Sequence, residues 1–420
     1  MILEFKCSNY KSIKDVAKLS MMATKTKEHE DNILYFKEKG VLPTVAIYGA
    51  NGAGKTNILK AIGFLNYMVS NSNQFNPGDE IPFFPHKLSN EKQSNFSIQV
   101  ELNGIRYAYG FSNNKEEILE EYLYHFKNNR PSKIFDRRVE DYTFGADYKK
   151  DLKELQLKMS KKNKLFLSIA ANWTNNYEIM SIFEYFHRDM VITTFANNEP
   201  WKRDSLLMIN DSQEYKDAFI SLLKALDIGI TNVVVDVKQI KVNYDDLPAN
   251  MPEELKMFIS KSENIDIDVK VCYDDLEINL NEESTGVNKL FEIGIPILDV
   301  LKNGKVLIYD ELETSIHPIL VKSIIRLFED KKINKNNSQL IFTTHDSNLL
   351  DLDLLRRDQI WFAEKSRENK STILYSLIAL KNVRNDENIE NGYIRGKYGS
   401  IPFINLNYLE KINDLKGEIN

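Results

Sequence analysis

A glycine-rich segment between an apolar run and a helical pattern constrains the fold of this 420-residue chain more than any other feature. It reads Gly-Ala-Asn-Gly-Ala-Gly-Lys-Thr over residues 49–56. Val45 to Tyr48 suit a buried strand before it, and apolar positions recur with helical spacing after it. Strand, glycine loop and helix in this order are the context of a P-loop. The segment therefore predicts an α/β core with a phosphate-binding loop at the end of a strand.

The residue types of this loop predict a nucleoside triphosphate with Mg²⁺ as its ligand. Glycines let the backbone bend into a nest of N–H groups, and the following helix adds its positive end. We expect Lys55 to reach the β- and γ-phosphates and the Thr56 hydroxyl to ligate Mg²⁺. The predicted nucleotide-binding residues of the loop are Gly49, Asn51, Gly52, Ala53, Gly54, Lys55, Thr56 and Asn57.

Two later strands end in polar residues that suit the other half of such a site. Residues 306–309 predict a buried strand, and Asp310 and Glu311 follow it directly. We expect Asp310 to hold Mg²⁺ through water and Glu311 to polarise the attacking water as general base. The next strand, residues 339–344, ends at His345. Since a helix separates the two strands, a parallel sheet would put His345 beside the γ-phosphate.

A third segment opens a helix with a serine and a glycine. Ser284-Thr285-Gly286 precedes apolar positions that recur with helical spacing. Such a helix start binds anions, although the same residues also suit an ordinary N-cap. The order of all the motifs along the chain favours the anion site.

That order resembles the ABC-type ATPase head shared by SMC, RecF and OLD-like proteins. Ser284 and Gly286 match its signature motif, with Thr285 and Val287 in place of the usual Gly and Gln. Thr-Ser-Ile-His-Pro at residues 314–318 matches the D-loop, and residues 5–13 resemble the opening strand. No glutamine, Gln93 and Gln99 included, lies in a recognisable Q-loop pattern.

The resemblance covers about residues 1–111 and 270–405 and implies a P-loop NTPase of α/β class, a mixed sheet with flanking helices. It implies ATP and Mg²⁺ as cofactors and a head-to-tail homodimer, which could assemble further. In that dimer, Ser284 and Gly286 of one subunit would contact the γ-phosphate bound by Lys55 of the other.

The segment 394–402, Ile-Arg-Gly-Lys-Tyr-Gly-Ser-Ile-Pro, resembles the ending of the RloA-like ATPases, which are linked to abortive infection and phage defence. OLD-like nucleases carry a Toprim domain after the histidine strand, and too few residues follow His345 for one. The resemblance therefore implies a separate effector, such as a nuclease, a Toprim protein or an RloB-like protein.

The composition predicts a cytoplasmic protein without disulfides or a zinc site. No run approaches the about 20 apolar residues that span a bilayer, and the N-terminus lacks the layout of a signal peptide. Only Cys7 and Cys272 are present, and the six histidines do not cluster with them. The net charge of −6 excludes a uniformly basic nucleic-acid coat.

We divide the chain into an ATPase head and an insertion that carries partner specificity. The head comprises residues 1–111 and 266–420, and the insertion comprises residues 112–265. Alternating residues around Asn103-Gly104 predict a β-hairpin, with a further strand at residues 117–126. Residues 151–260 are mainly helical in pattern, with breaks near Pro200 and Pro248, and lack the heptads of a coiled-coil arm.

A basic segment lies inside this insertion. Residues 127–164 contain 12 Lys and Arg against six Asp and Glu. The segment could bind nucleic-acid phosphates, or it could form an ordinary solvated surface. Its central cations are Arg130, Lys133, Arg137, Arg138, Lys149, Lys150, Lys161 and Lys162.

Together these features predict an ATPase that forms ADP and phosphate, switches by nucleotide-dependent dimerisation and regulates a separate effector of an anti-phage system. One alternative is a RecF/SMC-like ATP-dependent DNA-binding protein in DNA repair or maintenance. Another is a regulatory scaffold that hydrolyses ATP very slowly. The long insertion and the altered signature disfavour a transporter subunit.

Overall fold

In a computed structural model, the described part of the chain forms four β-sheets with helices that flank them. The structure describes residues 1–127, 130–159, 161–193, 199–240, 251–253, 256–257, 264–381, 383–384 and 387–402. The strands are β1 (Ile2–Ser8), β2 (Ala17–Ser20), β3 (Leu34–Phe36), β4 (Lys39–Val41), β5 (Thr44–Tyr48), β6 (Ser94–Leu102), β7 (Ile105–Asn113), β8 (Ile118–Phe126), β9 (Ser132–Arg138), β10 (Asp141–Phe144), β11 (Met190–Thr193), β12 (Asn232–Ile240), β13 (Asn264–Tyr273), β14 (Leu276–Asn279), β15 (Val306–Tyr309), β16 (Gln339–Thr344), β17 (Ile360–Lys365) and β18 (Thr372–Ser376). The helices are α1 (Lys55–Asn71), α2 (Lys149–Met159), α3 (Phe166–Trp173), α4 (Tyr177–Glu184), α5 (Glu199–Asp211), α6 (Gln213–Ala225), α7 (Thr285–Asn303), α8 (Pro318–Glu329) and α9 (Ile389–Ile394).

A six-stranded sheet carries the P-loop. Its order is β11-β15-β16-β5-β17-β18, and all neighbours are parallel except β17 and β18. Every residue of β5, β15 and β16 is buried, which is expected of parallel strands covered on both faces. The predicted α/β class, with a P-loop in a mixed sheet flanked by helices, is confirmed.

Successive residues of β5 belong to the two different hydrophobic cores of the protein. Val45 and Ile47 pack in the core that includes α1, whereas Ala46 and Tyr48 pack in the core that includes α7 and α8. Side chains alternate between the two faces of a strand, so a four-residue apolar run can serve both cores. The P-loop is therefore held at its strand end by packing from both sides.

A seven-stranded antiparallel sheet, in the order β10-β9-β8-β7-β6-β1-β2, lies beside this centre. The predicted hairpin is confirmed: β6 and β7 are joined by Asn103 and Gly104, whose φ angles are 50° and 76°. Positive φ at both positions is typical of a two-residue type I′ turn. The strand predicted at residues 117–126 is β8.

Gln339, at the start of β16, joins the two large sheets. Its side chain accepts a hydrogen bond from the Ile2 N–H at 2.6 Å and donates to the carbonyl oxygens of Ile2 and Leu42 at 3.0 and 3.1 Å. Because this amide is fully buried, its hydrogen bonds fix β1 relative to the six-stranded sheet.

The segment predicted to be mainly helical contains α2 to α6 and two strands that the sequence pattern did not reveal. One of them, β11, joins the six-stranded sheet beside β15. The other, β12, pairs with β13, most of which lies beyond the predicted boundary at residue 265. Pro200 lies at the second position of α5, where a helix tolerates proline, and Pro248 lies outside the described residues. The three-part division of the chain stays a prediction, and the sheets cross its boundaries.

Candidate active site

The P-loop connects β5 to α1, and four of its backbone N–H groups have no hydrogen-bond acceptor among the described residues. Gly52 and Gly54 have φ angles of +78° and +100°, which side-chain-bearing residues rarely adopt. Within the described residues, the N–H groups of Gly52, Gly54, Lys55 and Thr56 have no hydrogen-bond acceptor. No side chain caps the start of α1. Unused N–H groups at a helix start fit the phosphates of a nucleotide.

Lys55 is folded back over its own loop. Its side chain is 5% exposed, and Nζ donates to the carbonyl oxygens of Gly49 at 2.7 Å and Ala50 at 3.4 Å. Burial lowers the pKa of Lys55, whereas nearby carboxylates, Glu311 first among them, act to raise it. The lysine is thus a positive group held at the base of the loop by weak partners that a phosphate oxygen can replace.

The predicted Mg²⁺ ligands lie together at the carboxyl ends of their strands. The Thr56 hydroxyl donates to Asp310 Oδ1 at 3.2 Å, and the Thr343 hydroxyl donates to the same oxygen at 2.5 Å. The Asp310 N–H donates to the Thr193 carbonyl of β11 at 3.1 Å. A hydroxyl and a carboxylate are suitable oxygen ligands for Mg²⁺, so the donor set fits this ion.

Glu311 has a strained backbone at the edge of this cluster. Its φ is +54°, and its N–H donates to the Thr343 hydroxyl at 2.8 Å. Left-handed backbone at a residue other than glycine is unfavourable and is concentrated at functional sites. Thr343, which the sequence analysis missed, therefore contacts both acidic residues. Its only sequence signal is its place at the end of a buried strand, two residues before His345.

His345 follows β16, which lies between β15 and β5 as the parallel arrangement requires. Its ring is 53% exposed, and Nδ1 lies 3.0 Å from Glu313 Oε1. Its backbone N–H donates to the same oxygen at 2.8 Å. The sequence analysis also missed Glu313, although it stands two residues after the proposed general base.

Ser284 is exposed and Gly286 is half-buried, and both stay apart from the P-loop of their own chain. Ser284 Oγ accepts the Val287 N–H at 3.2 Å and so caps α7. Gly286 approaches the D-loop so closely that an added Cβ would lie 3.1 Å from the Ser315 carbonyl oxygen. Within the described part of the chain, neither residue hydrogen-bonds to the P-loop.

The remaining loop residues have different surroundings. Asn51 is exposed, whereas Ala53 is buried and its carbonyl accepts the Thr372 hydroxyl at 2.9 Å. Asn57 Nδ2 donates to Ser12 Oγ at 2.7 Å, and this serine lies 2.7 Å from the Thr372 hydroxyl. These contacts attach one side of the P-loop to the opening segment and to the β17–β18 hairpin.

The tail segment 394–402 also lies against the P-loop. The Ser400 carbonyl accepts the Ala50 N–H at 2.9 Å and the Tyr393 hydroxyl at 3.2 Å. The Tyr375 hydroxyl donates to the Tyr398 carbonyl at 2.7 Å, and both Tyr393 and Tyr398 stack on Phe362 of β17. The tail segment therefore packs against the P-loop and helps to position it.

One predicted member of the basic surface is internal. Arg137 is 2% exposed, lies 3.7 Å from the Glu121 carboxylate and donates to the carbonyl oxygens of Val139, Lys161, Lys162 and Lys164. The loop that carries these carbonyls covers the arginine, so the prediction that Arg137 contacts phosphates is wrong. Lys133 is half-buried and donates to Thr143. Six of the eight central cations are exposed, namely Arg130, Arg138, Lys149, Lys150, Lys161 and Lys162.

Comparison with solved structures finds SMC heads at 13% sequence identity. An SMC head bound to the C-terminal winged-helix domain of ScpA has a TM-score of 0.43, with 89% of this chain and 97% of that chain covered. The SMC head domain from Thermotoga maritima has a TM-score of 0.42, with 89% and 98% covered. An SMC head with an extended coiled coil, bound to the C-terminal domain of ScpA derived from Pyrococcus furiosus, has a TM-score of 0.40, with 90% and 96% covered. No curated protein sequence matches the chain.

Comparison with protein families gives a match that includes every motif of the site. The family described as "AAA domain, putative AbiEii toxin, Type IV TA system" matches residues 45–177 and 257–351, which is more than half of the chain. No helix in the described part of the chain is both long and apolar enough to cross a membrane. The prediction of an AAA-family protein is confirmed, and the chain belongs to this AAA-domain family of the AbiEii type.

Proposed function

We propose that the protein binds and hydrolyses ATP with Mg²⁺ and acts as a switch through nucleotide-dependent dimerisation. The observation that carries this proposal is the cluster of Thr56, Asp310 and Thr343 beside a P-loop with four N–H groups that have no acceptor among the described residues. Such an arrangement offers an anion site and oxygen ligands for a cation at one point. Bound Mg²⁺ would neutralise charge on the phosphates.

Each side chain has a distinct role in the proposed reaction. Lys55 exchanges its weak carbonyl partners for phosphate oxygens, and Thr56 and Asp310 hold the metal. Glu311 accepts a proton from the attacking water, and its exposed position at the end of β15 gives water access to it. His345 orients that water or contacts the γ-phosphate.

The signature residues support a site completed by a second subunit. Ser284 and Gly286 stand at the start of α7, and among the described residues the Ser284 side chain is hydrogen-bonded only to its own helix, so the serine is available to a partner. In the proposed dimer, Ser284 of one subunit contacts the nucleotide held by Lys55 of the other. ATP then favours the closed state only to the extent that it binds that state better.

The biological setting we infer is phage defence, with this protein as sensor or regulatory subunit. The family description names a toxin and a type IV toxin–antitoxin system, and the tail segment 394–402 resembles RloA-like ATPases. That segment contacts the P-loop through Ser400, so it would respond to the nucleotide. The toxic activity would belong to a separate effector protein, which the ATPase holds or releases.

Turnover measured on the purified protein tests the chemistry. Lys55→Ala should abolish ATP binding, and Glu311→Gln should retain binding while kcat falls at least about 100-fold. Glu154→Gln, on an exposed face of α2, is a matched carboxylate control and should behave as wild type. Unchanged hydrolysis in both site variants would exclude this site.

A mixing experiment tests dimerisation separately. Lys55→Ala and Ser284→Arg should each be inactive alone, because every site in either homodimer carries a defect. In a mixed dimer, the intact P-loop of one subunit meets the intact signature of the other, so an equal mixture should recover about a quarter of wild-type turnover. If Lys55→Ala folds normally and Ser284→Arg folds and binds ATP, a mixture without any recovered turnover would argue against a shared site.

A second candidate, ATP-dependent DNA binding, is favoured by the exposed cations of residues 127–164. Reversing the charge of Lys149, Lys150, Lys161 and Lys162 should then weaken DNA binding and reduce its salt dependence. Equal DNA affinity before and after charge reversal would remove this candidate.

A further inference from the structure

Glu313 contacts His345 at two points, the backbone N–H and the ring. Its Oε1 accepts the His345 backbone N–H at 2.8 Å and lies 3.0 Å from the ring atom Nδ1. At this distance a carboxylate oxygen can accept a hydrogen bond from Nδ1 when that nitrogen carries the proton. The bond made by one ring nitrogen decides the state of the other, which leaves Nε2 free to face the nucleotide.

The burial of Glu313 is difficult to explain by stability alone. Its side chain is 9% exposed, and Oε2 is buried without a hydrogen-bond partner among the described residues. The Tyr48 hydroxyl, at the end of the P-loop strand, is likewise buried and without a partner. Burial raises the pKa of Tyr48, and the Glu313 carboxylate adds to that rise. A buried carboxylate with one unsatisfied oxygen costs stability, so its presence suggests a functional constraint.

Glu313 lies near the proposed catalytic residues, and its charge acts to raise the pKa of Lys55. It follows Glu311 by two residues, on the turn that leads into the D-loop. Its bonded oxygen faces His345, while Asp310 and Glu311 are bonded to Thr343. A carboxylate that points at a histidine from behind fixes the tautomer and orientation of the imidazole without contacting substrate.

We propose that Glu313 is a positioning residue for His345. Its Oε1 holds the Nδ1–H tautomer and the ring orientation, so that Nε2 faces the γ-phosphate or the attacking water. This inference rests on the proposed ATPase site, because only there does the direction of Nε2 matter. It adds a fourth acidic or imidazole side chain to Asp310, Glu311 and His345.

Nitrogen NMR of the ¹⁵N-histidine-labelled full-length protein tests the tautomer without any nucleotide. The signal is assigned by its loss in His345→Gln. The ring should be protonated at Nδ1 in the wild type and in Glu313→Gln, because a glutamine carbonyl also accepts the bond. Glu313→Ala should shift the proton towards Nε2. The same tautomer in the wild type and in Glu313→Ala would overturn the inference.

Kinetics of single and double variants supply the second test. Glu313→Ala should lower kcat by about 10–100-fold, with the KM for ATP unchanged, and Glu313→Gln should recover much of the loss. The double variant with His345→Ala should be no worse than His345→Ala alone. Asp351→Asn, which breaks a nearby 2.8 Å contact with Lys322, is the control and should leave kcat unchanged.

The outcomes separate this inference from the proposed function. Normal kcat in Glu313→Ala, or losses that multiply in the double variant, would overturn the positioning role while leaving the ATPase intact. Absence of ATP turnover in the wild type would instead refute the proposed function. A lower melting temperature with a normal tautomer in Glu313→Ala would identify Glu313 as a purely structural anchor and would also overturn the inference.

Discussion

Replacing Arg137 by methionine should destabilise the protein, because this arginine is an internal group despite its basic neighbourhood. Its guanidinium lies 3.7 Å from a Glu121 carboxylate that is itself 0% exposed. Methionine fills similar space but carries no charge and no donor, so the carboxylate loses its cation. Removing one partner of a buried ion pair costs about 3–5 kcal/mol.

The surroundings of Glu121 determine how this cost should vary with pH. Burial raises the pKa of Glu121, and the Arg137 cation opposes that rise. Without Arg137, the pKa rises further, so the folded variant binds a proton more readily than the unfolded chain. The loss of stability should therefore be largest at high pH and should decrease as the pH falls.

Thermal denaturation at pH 8 and pH 5 measures both effects. Arg137→Met should lower the melting temperature at pH 8 by about 3–6 °C, and by less at pH 5. Arg138→Met is the matched control, because Arg138 is the exposed neighbour on the same strand. Equal melting temperatures of the two variants at pH 8 would refute the reasoning. If Arg137→Met instead lost DNA affinity while its stability was unchanged, Arg137 would be a surface residue that contacts DNA.

Three further predictions concern the sheet and the P-loop. Burial raises the pKa of Glu329 to about 7 from 4.5, so the folded state binds more protons between these values and stability falls as the pH rises through them. Glu329→Gln should thus be up to about 3 kcal/mol more stable than the wild type in urea titrations at pH 8, and similar at pH 4.5 or below. Gly54→Ala should abolish binding of a fluorescent ATP analogue, because its Cβ would lie 2.0 Å from Thr372 Oγ1. A Cβ at Gly52 meets no atom within 4 Å, so Gly52→Ala should bind the analogue better than Gly54→Ala does. Thr343→Val removes the hydroxyl shared by the acidic residues and should lower kcat about tenfold without weakening ATP binding, as steady-state kinetics would show.

The sequence was sufficient for the parts of the fold that depend on local patterns. The P-loop, the strand before Asp310 and the strand before His345 are each a short apolar run followed by a polar residue. Parallel packing then brings the strand ends together, and the hydrogen bond from Thr56 to Asp310 is one result. The catalytic and binding roles assigned to these residues remain predictions.

Features decided by distant parts of the chain could not be predicted in the same way. The burial of Arg137 depends on carbonyl groups of a loop about 25 residues later, and its own neighbours give no sign of it. Glu313 has a role only because the turn after β15 passes His345. Strand β11 has four residues within a helical pattern, and its partner strand begins at Val306.

The place of β11 also limits how the protein can be shortened. Met190 to Thr193 form the outermost strand beside β15, and the Thr193 carbonyl accepts the Asp310 N–H. The insertion is therefore not a module attached by flexible ends. A shortened chain without residues 112–265 would expose the edge of β15 and leave Asp310, the proposed metal ligand, without this backbone contact. A shortened chain designed to keep the proposed ATPase site must therefore retain residues 190–193. Because Thr193 is hydrogen-bonded to Asp310, a movement of β11 would also move Asp310.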